Sequence, residues 1–175
     1  MFLAEGFLHL SVEDLAVRLK CSKSTLYAVA PSKEQLVVAV VRGFFRRAAE
    51  RLDAQLEPIV DPEQRLRVYL HGIAVELAPA SRQFHADLEA FAPTRELYAR
   101  NSEWAAANVR AMVRAAARPD RPVDAVFLGG VAALVIDGIQ RGRLRALTDL
   151  DDAEAYDGLA DLLLSGLAGA PRSGE

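Results

Sequence analysis

Lys23, Ser24, Thr25 and Tyr27 fall within five residues, around a single large aliphatic side chain, Leu26. A cation, two small hydroxyls and a phenol on one short helical stretch can reach phosphate oxygens and base edges. Ser11, Ser22 and Lys33 extend the set. Each stands at the start of a predicted helix, where unpaired N–H groups and the helix dipole favour an anion, and where a serine also caps. None of these residues is Arg or Asn, so no target sequence follows from them. The other reactive types are scattered. His9, His71 and His85 lack the spacing of metal ligands, so no metal site is expected. His85, Asp87 and Glu89 read as a solvated helix face. Cys21 is the only cysteine; it excludes an intramolecular disulfide and reads as a small buried hydrophobe. There is no Gly-rich phosphate loop, nucleophile elbow or pair of active-site acids, so neither an enzyme nor a cofactor is expected.

The elements that must position these side chains are legible around them. Ser11 and Asp14 form a capping box, and Val12, Leu15, Ala16 and Leu19 follow at i, i+3, i+4 and i+7. Lys20-Cys21-Ser22 is a turn. Ser22 caps a second helix over 23–29, which Pro31 closes. Ser32 with Gln35 makes a second capping box that opens a third helix. Two short helices, a tight turn and a following helix are the pattern of a helix-turn-helix, whose second helix enters the DNA major groove.

On these motifs the chain resembles the TetR family of bacterial repressors. That family shows a Thr/Ser-x-x-x-Ile/Leu-Ala start, here Ser11-Val-Glu-Asp-Leu15-Ala16. Its Ser-Lys-x-Thr-Leu-Tyr recognition helix is matched by Ser22 to Tyr27, and its Pro/Lys-Ser-Lys-Glu-x-Leu entry to the next helix by Pro31 to Leu36. Phe2 to Phe7 looks like the end of the family's first helix, with Gly6 as its closing glycine. The departures are specific. Lys20 stands where the family usually has Gly, and Cys21 where it has Val. Ala28, Val29 and Ala30 replace a His/Tyr, an aromatic and a Phe. Only about two turns of the first helix are present, without the family's basic arm, so the head is expected to be truncated there.

The resemblance implies an all-α fold with a helix-turn-helix domain over 1–45 and a ligand-binding and dimerisation domain over 46–175. The hydrophobic periodicity supports helices over 32–56, 61–79, 81–91, 94–118, 122–144 and 150–168, with glycines and prolines at the joints. The stretch 122–144 is apolar nearly all round, with Gly129-Gly130 permitting close approach. It and 150–168 are expected to pair with their copies in a homodimer. Tyr69, His71, Phe84, His85, Phe91, Tyr98, Trp104, Asn108 and Met112 combine aromatic bulk with a few polar groups, a mixture that suits an apolar effector pocket. The resemblance places an inducer cavity among the same helices, so a small hydrophobic or aromatic effector is expected.

Composition agrees. Hydrophobic residues make up 51% of the 175-residue chain, enough for a sizeable core. Residues 1–52 carry 8 Lys/Arg against 5 Asp/Glu, a charge of +3, while the remainder carries 13 against 19, a charge of −6. No signal peptide is apparent and the longest apolar run is too short to cross a membrane, so a cytoplasmic protein is expected. The function expected is a ligand-responsive transcriptional regulator, a repressor that leaves a double-stranded DNA operator when a small molecule binds. The alternative is a DNA-incompetent relative that acts as a ligand-binding or protein-interaction dimer. Lys20, Ala28 to Ala30 and the short first helix favour it.

Overall fold

The computed structural model describes residues 1–117 and 124–168. These residues form ten helices and no strand: α1 (Phe2–Glu5), α2 (Val12–Arg18), α3 (Lys23–Val29), α4 (Lys33–Leu56), α5 (Pro62–Leu77), α6 (Arg82–Ala90), α7 (Ala92–Ala116), α8 (Ala125–Gln140), α9 (Arg143–Thr148) and α10 (Asp152–Ala168). The all-α expectation holds, and the chain divides into two compact units.

The first unit comprises Met1–Ala48 and Pro79–Arg100, so the segment carrying α6 and the start of α7 returns to the N-terminal helices. Its core joins Phe7, Leu10, Leu15, Leu26, Val37, Val41 and Phe45 to Phe84, Leu88 and Tyr98. Phe84 meets Phe7 edge-on at 6.0 Å and Phe44 at 6.2 Å between ring centroids. Such aromatic pairs add roughly 0.5–1.5 kcal/mol to what burial supplies.

The second unit comprises Ala49–Ala78 and the chain from Asn101 onward. Here α5 packs along α10, and α10 against α8. The inward stripe of α10 is Ala155, Tyr156, Leu159, Ala160, Leu163 and Leu167, all buried at helical spacing. The inward stripe of α8 is Ala132, Ile136 and Ile139. Its outward side is left apolar: Val126 is 78% exposed, Phe127 65% and Leu134 75%.

Two boundaries differ from the sequence reading. The long helix begins at Ala92 rather than 94, because Pro93 fits the first turn and the Thr94 hydroxyl turns back to donate to the Leu88 and Phe91 carbonyls at 3.1 and 2.9 Å. The helix expected over 122–144 is two helices. Gly142 adopts the left-handed conformation at φ 66° and separates α8 from the short α9. Pro122, the expected start of that helix, lies outside the described residues, as do positions 118, 119 and 123.

Candidate nucleic-acid interface

The two helices of the helix-turn-helix are held by their caps. Ser11 Oγ accepts from the Asp14 N–H at 3.1 Å and Asp14 Oδ2 accepts from the Ser11 N–H at 2.8 Å, a complete capping box. The Ser11 hydroxyl also donates to Asp14 Oδ2 at 2.6 Å, and this bond first, then that from the Ser11 N–H, holds the Asp14 carboxyl below its usual range. Ser22 Oγ accepts from the Thr25 N–H at 3.1 Å and lies 2.7 and 2.8 Å from the hydroxyls of Ser24 and Thr25. Ser32 Oγ accepts from the Gln35 N–H at 3.2 Å.

Between α2 and α3, Lys20 takes φ 53°, the left-handed conformation that Gly would adopt without strain. The Cys21 N–H donates to the Ala16 carbonyl at 3.0 Å, and the partly buried Cys21 side chain packs on the core. In α3 only Leu26 is buried. Lys23, Ser24, Thr25 and Tyr27 all face outward, with Tyr27 49% exposed. This follows from spacing: one large aliphatic side chain in seven residues can anchor only one face.

Two acids bring charge to this surface. Glu13 of α2 forms an ion pair with Lys23, and Glu5 of α1 accepts from Arg18 at 2.5 Å. The hydrogen bond from Arg18 holds the Glu5 carboxyl below its usual range. At the N-terminus of α4, Lys33 Nζ donates to the Leu8 carbonyl at 2.8 Å. An ammonium has three donors, so two remain for other acceptors.

The turn from α1 to α2 carries a contact that sequence reasoning missed. Asp87, assigned to a solvated face, is 3% exposed. Its Oδ2 accepts from the N–H groups of Phe7 at 2.5 Å and Leu8 at 2.8 Å, and its Oδ1 from Gln83 Nε2 at 2.7 Å. Burial pushes its pKa up, but the amide bonds from Leu8 and Phe7 and the Gln83 carboxamide outweigh it, so the carboxyl stays below its usual range. Glu89 does face solvent. The available signal was spacing: Asp87 lies between Phe84 and Leu88 on the inward stripe of α6.

The nine residues expected around an effector fall in both units. Phe84, His85, Phe91 and Tyr98 lie in the first, where the His85 ring is 5.9 Å from Phe84 and 6.1 Å from Tyr98. Tyr69, His71, Trp104, Asn108 and Met112 lie in the second. There Asn108 Nδ2 donates to Tyr69 Oη at 3.1 Å, and burial pushes the Tyr69 pKa up to about 12. His71 Nδ1 lies 2.9 Å from Asp157 Oδ1 on the exposed side of α5, and Trp104 is 43% exposed. Two open clefts mark the first unit. One, of about 290 Å³, runs between Phe2, Leu15, Leu36, Val40 and Phe44, with Arg47 as its one cation. The other, of about 440 Å³, lies beside Ala30, Pro31, Arg42 and Phe91.

Residues 1–40 match the family model described as bacterial regulatory proteins, tetR family. No curated protein matches the chain. Among solved structures, the chain is similar to the TetR family transcriptional regulator PfmR from Thermus thermophilus, at 23% identity over 98% of this chain and 94% of that one, with a TM-score of 0.64. It is similar to a TetR transcription regulator from Haloarcula marismortui at 18% identity, covering 95% and 90% of the two chains, with a TM-score of 0.70. A Saccharomonospora viridis protein solved in complex with choline matches at 20% identity over 93% and 88%, with a TM-score of 0.69. These likenesses establish the TetR-like fold over nearly the whole chain.

Proposed function

From a tetR-family N-terminal domain and a TetR-like fold around it, we propose that this chain is a ligand-responsive transcriptional regulator, a non-enzymatic cytoplasmic repressor that binds operator DNA as a homodimer. The observation that carries this reading is the outward face of α3, where Lys23, Ser24, Thr25 and Tyr27 stand free of the core that holds Leu26. In this reading Lys23 and Tyr27 meet phosphates and Ser24 and Thr25 approach base edges. Ser11, Ser22 and Lys33 bring helix N-termini to the backbone. The basic segment 1–52 supports it, because phosphate neutralisation supplies most non-specific affinity.

Dimerisation runs through 122–144 and 150–168. The exposed Val126, Phe127 and Leu134 of α8 and Leu162 of α10, 56% exposed, support it. An obligate interface of this kind buries roughly 2,000 Å² or more in total. The effector is a small hydrophobic or aromatic molecule, and within the second unit Tyr69, Trp104, Asn108 and Met112 are the residues proposed to meet it. The choline complex of the S. viridis protein supports a small-molecule effector in this fold. The effector acts through unequal affinity for the DNA-bound and released arrangements.

Fluorescence anisotropy with the DNA upstream of the protein's own gene tests the proposal. Binding that exceeds that to scrambled DNA, and whose log K falls linearly with log salt, is expected. Equal binding to both DNAs would overturn operator recognition, and binding to neither would favour the second reading, a DNA-incompetent dimer. The engagement of Lys23 by Glu13 is the observation that favours that reading.

A further inference from the structure

We propose that Asp87 is a positioning residue for DNA binding: from α6 it holds the Gly6–Leu8 turn that launches α2, and through that turn it sets the helix-turn-helix. The inference rests on the reading of the chain as a DNA-binding regulator and adds a residue far in sequence from the DNA-facing helices.

The contact is built from both sides. Leu8 is held at each of its backbone polar groups, its N–H by Asp87 Oδ2 at 2.8 Å and its carbonyl by Lys33 Nζ at 2.8 Å. The Phe7 N–H donates to the same carboxylate oxygen at 2.5 Å. Gln83, one turn earlier on α6, occupies Oδ1 and completes the carboxylate's partners. The Ser81 N–H adds a backbone bond to the Leu3 carbonyl at 2.7 Å, so α6 and its entry grip both ends of this segment.

Gly6 is the independent mark of this arrangement. A Cβ added there would lie 2.5 Å from Asp87 Oδ2 and 2.7 Å from Gln83 Cγ, so the carboxylate's approach requires glycine. Its φ of 81° also turns successive N–H groups toward one acceptor. Only His9 and Leu10 separate Leu8 from Ser11, the cap of α2. Phe7 and Leu10 are fully or almost fully buried. A shift of the turn therefore moves the start of α2, and α3 packs on α2.

The charge of Asp87 makes the test one of sign. A negative group in a DNA-binding head opposes a polyanion, so simple electrostatics says that removing the charge tightens binding. Positioning says that it weakens binding. Asp87→Asn keeps the shape, leaves one neutral oxygen for the Phe7 and Leu8 N–H groups with bonds about half as strong, and turns the other oxygen into an NH2 that Gln83 can meet only by presenting its own carbonyl. We expect the full-length Asp87→Asn protein to bind its own upstream DNA about tenfold more weakly, with the salt slope unchanged because no phosphate contact is removed. Glu89→Gln, the loss of an exposed acid from the same helix, should leave affinity unchanged or raise it. In hydrogen–deuterium exchange, Asp87→Asn should expose both the 6–10 and the 22–30 peptides while those of 124–168 stay as protected as before. Tighter or unchanged DNA binding by Asp87→Asn, or faster exchange confined to 6–10, would overturn the proposal. If the unsubstituted protein binds no DNA, the regulator reading falls, and the exchange of 22–30 still decides whether Asp87 sets α3.

Discussion

At the residue scale, the strained turn makes the plainest prediction. Lys20 takes a left-handed conformation that costs a non-Gly residue roughly 1 kcal/mol or more. Lys20→Gly removes that strain but adds freedom to the unfolded chain, so a net gain of about 0.5–1 kcal/mol is expected, read as a rise in melting temperature of up to about 4 °C. A fall in melting temperature would show that the Lys20 side chain contributes more than its backbone costs. This residue was legible before the fold was known, because the resemblance puts Gly there. Leu26 was legible too, as the single aliphatic anchor of its helix. Asp87 was not. Its place between Phe84 and Leu88 signals burial, but the Phe7 and Leu8 amides it caps lie about 80 positions away, and nothing local points to them. Lys33 carries a second prediction at this scale. Lys33→Ala should weaken all DNA sequences alike and lower the salt slope by about 1, whereas Thr25→Ala should change sequence preference. An unchanged slope in Lys33→Ala would leave Lys33 only its bond to the Leu8 carbonyl.

At the element scale, α8 and α10 separate two duties that periodicity alone runs together. Both read as strongly apolar, and the structure divides each into an inward and an outward side. Leu163 is fully buried within its own unit, while Leu134 is 75% exposed. Charge at the two positions should therefore act differently. Leu134→Asp should yield a folded monomer by sedimentation. Leu163→Asp should unfold the second unit, because a buried unpaired carboxylate costs several kcal/mol. A dimer that survives Leu134→Asp would move the interface off this side of α8. The break at Gly142 was missed because Arg141, Arg143 and Leu144 suit a helix, and only the left-handed glycine between them ends it. Tyr69 and Tyr156 supply a further measurement on α5 and α10. Burial raises both phenol pKa values, that of Tyr69 to about 12. A phenol whose folded pKa lies above its unfolded value of about 10 contributes stability that is whole below pH 10 and is lost as pH rises through the folded value. Ultraviolet titration should therefore show Tyr69 and Tyr156 ionising late, together with loss of helicity. Four tyrosines titrating together near pH 10 in a folded protein would contradict the burial of these two.

At the scale of the whole molecule, the chain builds two units from discontinuous segments. Helices α4 and α7 each contribute residues to both, and α6 belongs with the N-terminal helices although α5 precedes it in the other unit. The periodicity of each helix could be read locally. The return of 79–100 could not, because it depends on Phe84, Leu88 and Tyr98 finding Phe7, Phe44 and Phe45, contacts between residues distant in sequence. For the same reason, the aromatic residues expected around one effector site divide between the units. In the proposed function this head recognises DNA through α3. The most direct measurement is anisotropy of the full-length protein with its own upstream DNA against scrambled DNA, across a salt series, for the unsubstituted protein and Thr25→Ala. Preferential, salt-dependent binding whose sequence preference changes in the variant is expected. Equal affinity for own and scrambled DNA at every salt concentration, with no effect of Thr25→Ala, would contradict it.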